Sequence, residues 1–425
     1  MTKLADVAGR IAGYNPDALE VGLAQDIIRA YVAPIDGNET QTLTAALGRV
    51  LAEDIISPIN VPAHDNSAMD GYAFRSGDLG AETIELKVAG SAFAGHPYAG
   101  NVKPGECVRI MTGAVMPADC DTVIPHELVQ TRTEHSVVIA PGTVKAGDNR
   151  RMQGEDLAAG SAALRKGKIL RPADIGLLAS LGIGEVPVRR RLRVAFFSTG
   201  DELRSIGEPL EEGCIYDSNR YTVFGMLTRL GCDVIDMGVV RDDPVSLEAA
   251  LRNACETADA IVTSGGVSAG DADYTTAMME QLGDVHFWKL AMRPGRPMAF
   301  GKIASNGRSA YLFGLPGNPV AVMVSFYFFA RNALLQMMGA DHVPLPVVRV
   351  SSQSAIRKKP GRTEYQRGIL SLDAGGRAQV RVTGSQGSGI LRSMSEANCM
   401  IVLPHAQGNV NAGDPVDVVL FEGLC

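Results

Sequence analysis

Charged side chains and glycine turns end nearly every apolar run between Arg193 and Met338. These runs alternate with helix-like segments, a pattern typical of a parallel sheet with right-handed crossovers. Open sheets of this kind bind ligands at the carboxyl ends of their strands. The side chains predicted to share that rim are Asp201, Glu202, Asp217, Asp242, Asp243, Asp271, Asp273, Lys289 and Arg293. Carboxylates and basic groups on one edge predict a site for an anion and a metal ion.

A glycine-rich segment, Ser264–Gly270, follows one predicted strand and precedes a predicted helix. Its backbone N–H groups suit a phosphate group at a helix entrance. Gly265, Gly266 and Ser268 are therefore candidate ligand contacts. The alternative is purely structural, because glycine and aspartate are common in turns and aspartate caps helices. The concentration of charged residues on one edge favours a ligand site.

Four units are predicted to position these residues, since 425 residues exceed the usual size of one domain. Short alternating runs punctuated by glycine and proline predict a small β-rich domain. The chain is expected to return after it to the first unit, which is then a discontinuous linking domain. Alternation near the C-terminus predicts a small β-barrel or sandwich after the α/β region. The predicted units are residues 1–57 with 144–190, residues 58–143, residues 191–340 and residues 341–425.

Composition narrows the classes of function. With 47 acidic and 40 basic residues the net charge is −7, which disfavours nucleic acid as a partner. Seven scattered cysteines without a C-x-x-C pair predict a reducing compartment, the cytoplasm, and no zinc site. Four acidic residues in Met1–Ala30 are unlike a signal or transit peptide. The longest apolar run, Val320–Ala330, is shorter than the roughly 20 residues of a membrane span.

Seven motifs occur in order over most of the chain and together resemble those of the molybdopterin molybdenumtransferases, the family that includes the E domain of gephyrin. The motifs are Asn66–Tyr72, Arg109–Gly113, Gly154–Asp156, Ser198–Leu203, Ser264–Ser268, Phe287–Lys289 and Gly314–Pro319. The resemblance implies an elongated, homodimeric subunit with a linking domain, a small β domain, an α/β domain of the molybdopterin-binding type and a C-terminal β-barrel. It also implies an enzyme that inserts molybdate into adenylylated molybdopterin and hydrolyses the adenylyl group with a divalent cation, giving molybdenum cofactor and AMP.

An adenylylated pterin is strongly anionic, so a carboxylate rim would repel it unless a hard cation such as Mg²⁺ lay between them. Asp242 and Asp273 end adjacent predicted strands and are the expected metal ligands, where the ion would polarise the scissile phosphoryl group. A structural helix cap is the alternative for each of them. Glu202 resembles the catalytic-loop glutamate of the family, with positioning of water or substrate as its expected role.

The resemblance assigns further residues to the substrates. Lys289 and Arg293 match basic positions, although a known family member has lysine where this chain has Arg293, and a guanidinium can hold two oxygens of an oxyanion at once. The remaining positions are Pro316 and Pro319 in the Gly314–Pro319 motif, Arg367 and Ser388 as molybdate contacts, and Asp70, Thr112 and Asp156 outside the α/β region. The last three imply a site shared between two subunits. A surface salt bridge explains Lys289 or Arg293 equally well. A β-hairpin with a glycine-rich turn explains the pattern around Arg367 and Ser388 equally well.

Two other functions stay open at the level of sequence. An adenylyltransferase that prepares the substrate, and that could also hand it over as a partner, resembles residues 193–338 alone. The length of the chain argues against that activity. A dimeric scaffold of the gephyrin type is the non-enzymatic alternative, but a scaffold has no need of the charged set. No G-x-G-x-x-G follows a strand and no P-loop motif occurs, which disfavours a nicotinamide-dependent or P-loop enzyme.

Overall fold

The computed structural model describes residues 3–266, 278–342 and 344–424. The predicted helix from Asp271, together with Ser268 and Asp273, lies outside these ranges. The α-helices are Leu4–Ala8, Val21–Tyr31, Leu43–Ala46, Pro172–Ser180, Ser218–Arg229, Pro244–Thr257, Pro319–Ser325, Arg331–Met337 and Leu391–Glu396. Residues 278–282 are also helical. Three short 3₁₀ turns are Ser76–Asp78, His126–Leu128 and Phe421–Gly423.

The linking domain is built from segments far apart in the chain. Its three two-stranded sheets pair Asn38–Thr42 with Glu185–Arg189, Ile55–Ile56 with Ala162–Leu164, and Asn66–Ser67 with Arg150–Arg151. Every pairing is antiparallel, and the first two join a segment before the small β domain to one after it, whereas Asn66–Ser67 lies at the start of residues 58–143. The predicted discontinuous arrangement is therefore confirmed. Helix Leu43–Ala46 is short, and Ile55–Ile56, further along the same segment, forms a strand.

The small β domain is one six-stranded sheet. Its strands, in spatial order, are Thr122–Pro125, Gly71–Phe74, Glu106–Ile110, Ile84–Ala92, Ser136–Ile139 and Thr131–Arg132. Gly71 begins the strand that follows the predicted Asp70 loop. A Cβ added there would lie 1.9 Å from the carbonyl oxygen of Ile124 on the neighbouring strand. Only glycine permits this approach, so the backbone around Asp70 is closely packed.

The α/β domain carries a second six-stranded sheet. Its strands, in spatial order, are Asp233–Val240, Arg193–Thr199, Ala260–Ser264, Arg308–Leu315, Pro297–Ser305 and Gly283–Lys289. The first four are parallel to one another, as predicted. Pro297–Ser305 runs antiparallel to both of its neighbours, which the sequence analysis did not predict. The sequence contains a signal for this reversal of direction, since Asn-Gly is typical of a two-residue hairpin turn. In the structure, Asn306 and Gly307 both have the positive φ that such a turn requires.

An apolar helical segment from Pro319 to Met337 packs behind this sheet. Two α-helical stretches flank a π-helical turn, Phe326–Ala330. The whole segment is long and apolar enough to cross a membrane, but 72% of its most apolar window is buried inside the protein. Its side chains join the sheet and helix Val21–Tyr31 in the largest hydrophobic core. Its apolar character is therefore explained by core packing.

The C-terminal domain is a closed five-stranded barrel, as the resemblance implied. Its strands, in order around the barrel, are Thr363–Leu372, Ala378–Val382, Val347–Ser352, Pro415–Leu420 and Cys399–Leu403. The last strand pairs again with the first, which closes the ring. Met292–Arg293 adds to strand Thr363–Leu372 from outside. The α/β domain and the barrel are thus joined by backbone pairing next to Arg293.

An ion pair ties the start of the α/β domain to its own sheet. The guanidinium of Arg190 donates two hydrogen bonds of 2.8 Å to the carboxylate of Asp259, which also accepts the N–H of Arg193. Burial disfavours the charged form of Asp259, but these hydrogen bonds outweigh it and the pKa of the carboxyl lies below its usual value. The ionised form therefore stabilises the fold.

We expect Asp259→Asn to lower the free energy of unfolding by about 1–2 kcal/mol at pH 7. A lowered folded-state pKa gives stability that is present above the unfolded pKa of roughly 3.9 and is lost as the pH falls through the folded value. The difference between wild type and variant should therefore shrink below pH ~4 in urea titrations. Asp26→Asn, which removes an exposed pair with Arg29, is the control and should have little effect. An equal loss in both variants would contradict the assignment.

Candidate functional site

The turn after strand Arg193–Thr199 places Glu202 at the rim of the sheet. Gly200 has φ 153°, and a Cβ built on it would lie 2.5 Å from Oε2 of Glu202. The carboxylate of Glu202 therefore folds back over Gly200, and a larger residue at position 200 would displace it. Glu202 itself is exposed to solvent. Its position fits the predicted role of contacting water or substrate.

An acidic corner lies beside this turn. Asp242 accepts a hydrogen bond from Oγ1 of Thr199 at 3.3 Å, and the backbone N–H of Asp242 donates to Oδ1 of Asp201 at 3.4 Å. Both aspartates are exposed. The neighbouring Asp243 instead caps helix Pro244–Thr257 by accepting the N–H of Ser246 at 2.9 Å. Of these three carboxylates, only Asp243 has the structural role that the sequence analysis offered as an alternative.

The donor chemistry of the acidic corner fits Mg²⁺. This ion prefers oxygen ligands, and in phosphate sites it is usually held by one or two carboxylates together with substrate oxygens and water. Asp242 and Asp201 offer two solvent-facing carboxylates next to each other. The described residues contain no group of three or more His, Cys, Asp or Glu side chains arranged for a metal. A site completed by the substrate is therefore the type that this corner supports.

Two glycine-bearing loops lie next to the corner. Gly265 and Gly266 follow strand Ala260–Ser264 with φ of 92° and 69°. A Cβ on Gly265 would lie 2.4 Å from the carbonyl oxygen of Thr199. The N–H of Gly265 donates to the carbonyl of Leu315 at 3.1 Å, so the second loop, residues 314–319, lies directly beside it. In that second loop Pro316 is buried, and Pro319 begins the core helix.

Lys289 lies at the far edge of the sheet. Its Nζ donates to Oδ1 of Asp17 at 2.7 Å, and this hydrogen bond lowers the pKa of Asp17. The N-terminal segment is held there by backbone hydrogen bonds, since Lys289 donates to the carbonyl of Pro16 and Leu19 donates to the carbonyl of Lys289. Asp17 was not predicted, because nothing local in the sequence indicates a contact with a residue 272 positions away.

The rim residues do not converge on one point. Strands Asp233–Val240 and Gly283–Lys289 are the two outer strands of a six-stranded sheet. At about 4.8 Å between neighbouring strands, their ends lie roughly 24 Å apart. The acidic corner and Lys289 therefore occupy opposite ends of the rim.

Two arginines line a cavity between the α/β domain and the barrel, at the same end as Lys289. The cavity has a volume of about 270 Å³, and its lining includes Arg293, Arg357, Glu364, Gln366 and Gln386. Besides Arg293, three of these side chains, Arg357, Gln366 and Gln386, can donate hydrogen bonds and carry no negative charge. The cavity is large enough for a small oxyanion.

Arg367 is fully buried beside this cavity. Its guanidinium donates to Oγ of Ser393 and to the carbonyl of Gly387, each at 2.9 Å, and more weakly to two neighbouring carbonyls. Burial and the nearby charge of Arg293 lower the pKa of Arg367 to about 10. The loop that Arg367 holds includes Ser388, whose carbonyl accepts the N–H of Val320 at 3.0 Å. Arg367 thus fixes the loop predicted to bind an oxyanion.

The remaining candidate residues lie on the small β domain and the linking domain. Asp70 accepts the backbone N–H and the hydroxyl of Thr112, both at 2.7 Å. These two bonds, the backbone one first, lower the pKa of Asp70. Asp156 is exposed, with its backbone N–H bonded to the carbonyl of Val61. Among the described residues, no hydrogen bond or ion pair joins residues 58–143 to the α/β domain.

Family models match the chain in three consecutive stretches. Residues 19–182 match the MoeA N-terminal region (domain I and II), residues 195–336 match a probable molybdopterin binding domain, and residues 349–421 match the MoeA C-terminal region (domain IV). Together these stretches include every candidate residue named above except Asp17.

Similar proteins extend over nearly the whole length. A molybdopterin molybdenumtransferase of Haemophilus influenzae is 43% identical over 387 residues, which are 91% of this chain and 94% of that protein. One of Nostoc is 36% identical over 387 residues, 90% of this chain and 88% of that protein. The crystal structure of a molybdopterin biosynthesis moeA protein from Pyrococcus horikoshii has a TM-score of 0.80 at 30% identity, covering 95% of this chain and 100% of that one.

We expect Thr112→Val to raise the pKa of Asp70, because the variant loses the hydroxyl donor that favours the ionised carboxylate. The backbone donor of residue 112 remains, so the pKa should still stay below the ordinary value. Carboxyl carbon chemical shifts followed by NMR across pH 2–6 would measure this. Thr133→Val removes a hydroxyl that contacts Ser136 and is the control. An unchanged midpoint for Asp70 in Thr112→Val would show that the hydroxyl does not tune this carboxylate.

Proposed function

This chain belongs to the molybdopterin molybdenumtransferase family represented by MoeA, and we propose that it inserts molybdate into adenylylated molybdopterin with Mg²⁺-dependent hydrolysis of the adenylyl group, giving molybdenum cofactor and AMP. The observation that carries this proposal is the junction of the acidic corner with the two glycine loops. There, Asp201 and Asp242 lie next to loop backbone that approaches Thr199 without intervening side chains. Carboxylates beside exposed backbone amides suit a metal-bridged phosphate.

The candidate site residues of the acidic corner and of the two loops have separate roles in this scheme. Asp242, with Asp273, would hold Mg²⁺, which when bound polarises the scissile phosphoryl group. Glu202 orients the attacking water or the substrate from its position over Gly200. The N–H of Gly266, with Ser268, contacts the phosphate, and Gly265, whose own N–H is bonded to Leu315, leaves room for the phosphate to approach the backbone. Pro316 and Pro319 shape the opposite wall.

Molybdate is proposed to bind at the other end of the rim. Lys289 and Arg293 supply positive charge there, and Arg293 lines the 270 Å³ cavity. Arg367 keeps the Ser388 loop in place from behind, and its buried charge makes the cavity more attractive to an anion. The fixed fork of Arg293 can hold two oxygens of one tetrahedral oxyanion, which lysine cannot do.

A homodimer with a shared active site is proposed to bring the small β domain to the rim. Within one chain, the described Asp70 and Thr112 have no hydrogen bond or ion pair to the α/β domain. Met69, 41% exposed, and Met152, 58% exposed, lie next to these polar residues and Asp156 in the sequence. Exposed apolar side chains of this size suit contact with a second subunit. Asp70, Thr112 and Asp156 would then complete the site of the partner.

The six described cysteines are free thiols, which supports the cytoplasm as the proposed location. An upstream adenylyltransferase is the proposed source of the adenylylated substrate. The direct test of the function is to incubate the purified protein with adenylylated molybdopterin, Mg²⁺ and molybdate. AMP release with cofactor formation supports the proposal. Formation of adenylylated molybdopterin from ATP would identify an adenylyltransferase. If neither reaction occurs, the non-enzymatic dimeric scaffold is the function that remains.

We expect Asp242→Asn to reduce Mg²⁺-dependent AMP release by about 100-fold or more, because the variant loses a charged ligand of the metal. Raising the Mg²⁺ concentration should restore part of the rate. Asp233→Asn is the matched control, since Asp233 begins strand Asp233–Val240, whereas Asp242 follows the other end of that strand. Full-rate AMP release by correctly folded Asp242→Asn protein would refute the proposed metal site.

The shared site predicts complementation between inactive subunits. Asp70→Ala and Glu202→Ala homodimers should each be inactive, whereas mixed dimers should recover about one wild-type site, because one of the two sites combines an intact Asp70 with an intact Glu202. Co-expression with two different affinity tags isolates the mixed dimer, and AMP release measures it. Absence of any recovery in verified mixed dimers would place both residues in the site of a single subunit.

A further inference from the structure

Asn219 connects the two glycine loops from beneath. It lies in the first turn of helix Ser218–Arg229 and is only 7% exposed. Its Nδ2 donates to Oγ of Ser264, at the end of one strand, and to the carbonyl of Gly317, in the second loop, both at 2.7 Å. One side-chain amide therefore connects two loops. The residues that it bonds, Ser264 and Gly317, lie 45 and 98 positions from Asn219 in the sequence.

The place of Asn219 is itself fixed. Asp217, 3% exposed, caps the helix by accepting the N–H of Arg220 at 3.0 Å. The helix packs on the sheet through Val223 and Leu227, which are fully buried. An amide held this rigidly in the first turn loses little further freedom when it makes hydrogen bonds. Asn219 therefore acts as a spacer between the two loops.

The donor atoms of Asn219 carry the connection. Its Oδ1 is buried and receives no hydrogen bond from the described residues, while both hydrogens on Nδ2 are used. In the described part of the chain, no other side chain bonds to both loops. The backbone also links them, because the strands that lead into the loops are paired, with Ser264 opposite Leu315, and the N–H of Gly265 bonds to the carbonyl of Leu315. Loss of the Asn219 donors would remove the bond to the carbonyl of Gly317 and would leave the hydroxyl of Ser264, a residue only 2% exposed, without this partner, which is costly.

We propose that Asn219 is a positioning residue for the molybdenumtransferase reaction: by fixing the separation of the Ser264–Gly266 and Gly314–Gly317 loops, it sets the affinity for the adenylylated substrate without touching it. This inference rests on the proposed function, because that function places the substrate phosphate on these loops. A displacement of either loop by about 1 Å is enough to weaken binding markedly.

Asn219→Asp tests the proposal with a side chain of nearly the same shape. The aspartate keeps the packing but cannot donate to the carbonyl of Gly317 and instead repels it. Asn398→Asp is the matched control, since Nδ2 of Asn398 donates to the carbonyl of Leu370 in the barrel, away from the loops. Ser264→Ala is a milder second variant that removes the acceptor on one loop only, and it remains informative if Asn219→Asp folds poorly.

Hydrogen–deuterium exchange measures the connection without any substrate. In Asn219→Asp, peptides covering 260–266 and 311–318 should both exchange at least about fivefold faster, while helix Pro244–Thr257 is unchanged. Ser264→Ala should accelerate only the first peptide, and Asn398→Asp neither. Unchanged exchange of either loop in Asn219→Asp would overturn the proposal, whatever the activity of the variant.

Steady-state kinetics measure the consequence. For Asn219→Asp the KM for adenylylated molybdopterin should rise roughly tenfold or more, with kcat changed much less, because the residue affects binding rather than the reacting atoms. Faster loop exchange with an unchanged KM would overturn the positioning role. Wild-type protein that releases no AMP would overturn the proposed function instead, and the exchange measurement would still decide whether Asn219 connects the loops.

Discussion

The separation of negative and positive side chains along one sheet edge is the constraint on which the rest of the site depends. The acidic corner of Asp201 and Asp242 ends the outer parallel strands, whereas Lys289 and Arg293 lie at the opposite end beside the barrel. An anion that reaches the rim is attracted to the basic end and repelled from the acidic end unless a cation is present. The two ends therefore suit different anions: a free oxyanion at one and a metal-bound phosphate at the other.

Glycine makes this arrangement possible at the acidic end. Gly265 brings its strand end so close to Thr199 that a side chain would not fit between them, since a Cβ there would lie 2.4 Å from the carbonyl oxygen of Thr199. The backbone amides are consequently the surface that a ligand meets. Asn219 adds a side-chain link to this closely packed region, and both of its acceptors belong to the loops themselves. The close packing of the glycine loops thus accounts both for their rigidity and for their ability to bind a phosphate.

Much of the fold was predictable because it follows from local patterns. Apolar runs ending in Asp201, Asp242 and Lys289 marked the strand ends and their common edge. The extra antiparallel strand was missed because the Asn306-Gly307 turn was not read as a hairpin. Contacts between distant segments could not be predicted from the sequence. Asp17 reaches Lys289 only through the packing of the N-terminal segment. Asn219 could not be told apart from any other polar residue near a helix cap. Single motifs indicate which residues carry charge, but only the packing shows which of them are already paired.

The barrel closes on itself through the pairing of Cys399–Leu403 with Thr363–Leu372. A closed ring offers few unpaired backbone groups, and Met292–Arg293 of the same chain already pairs with strand Thr363–Leu372 from outside, so little backbone is left for a neighbouring molecule or an extended peptide to pair with. Any protein that recognises this end of the molecule must do so through side chains, by shape and charge. The same closure protects the barrel against edge-to-edge aggregation.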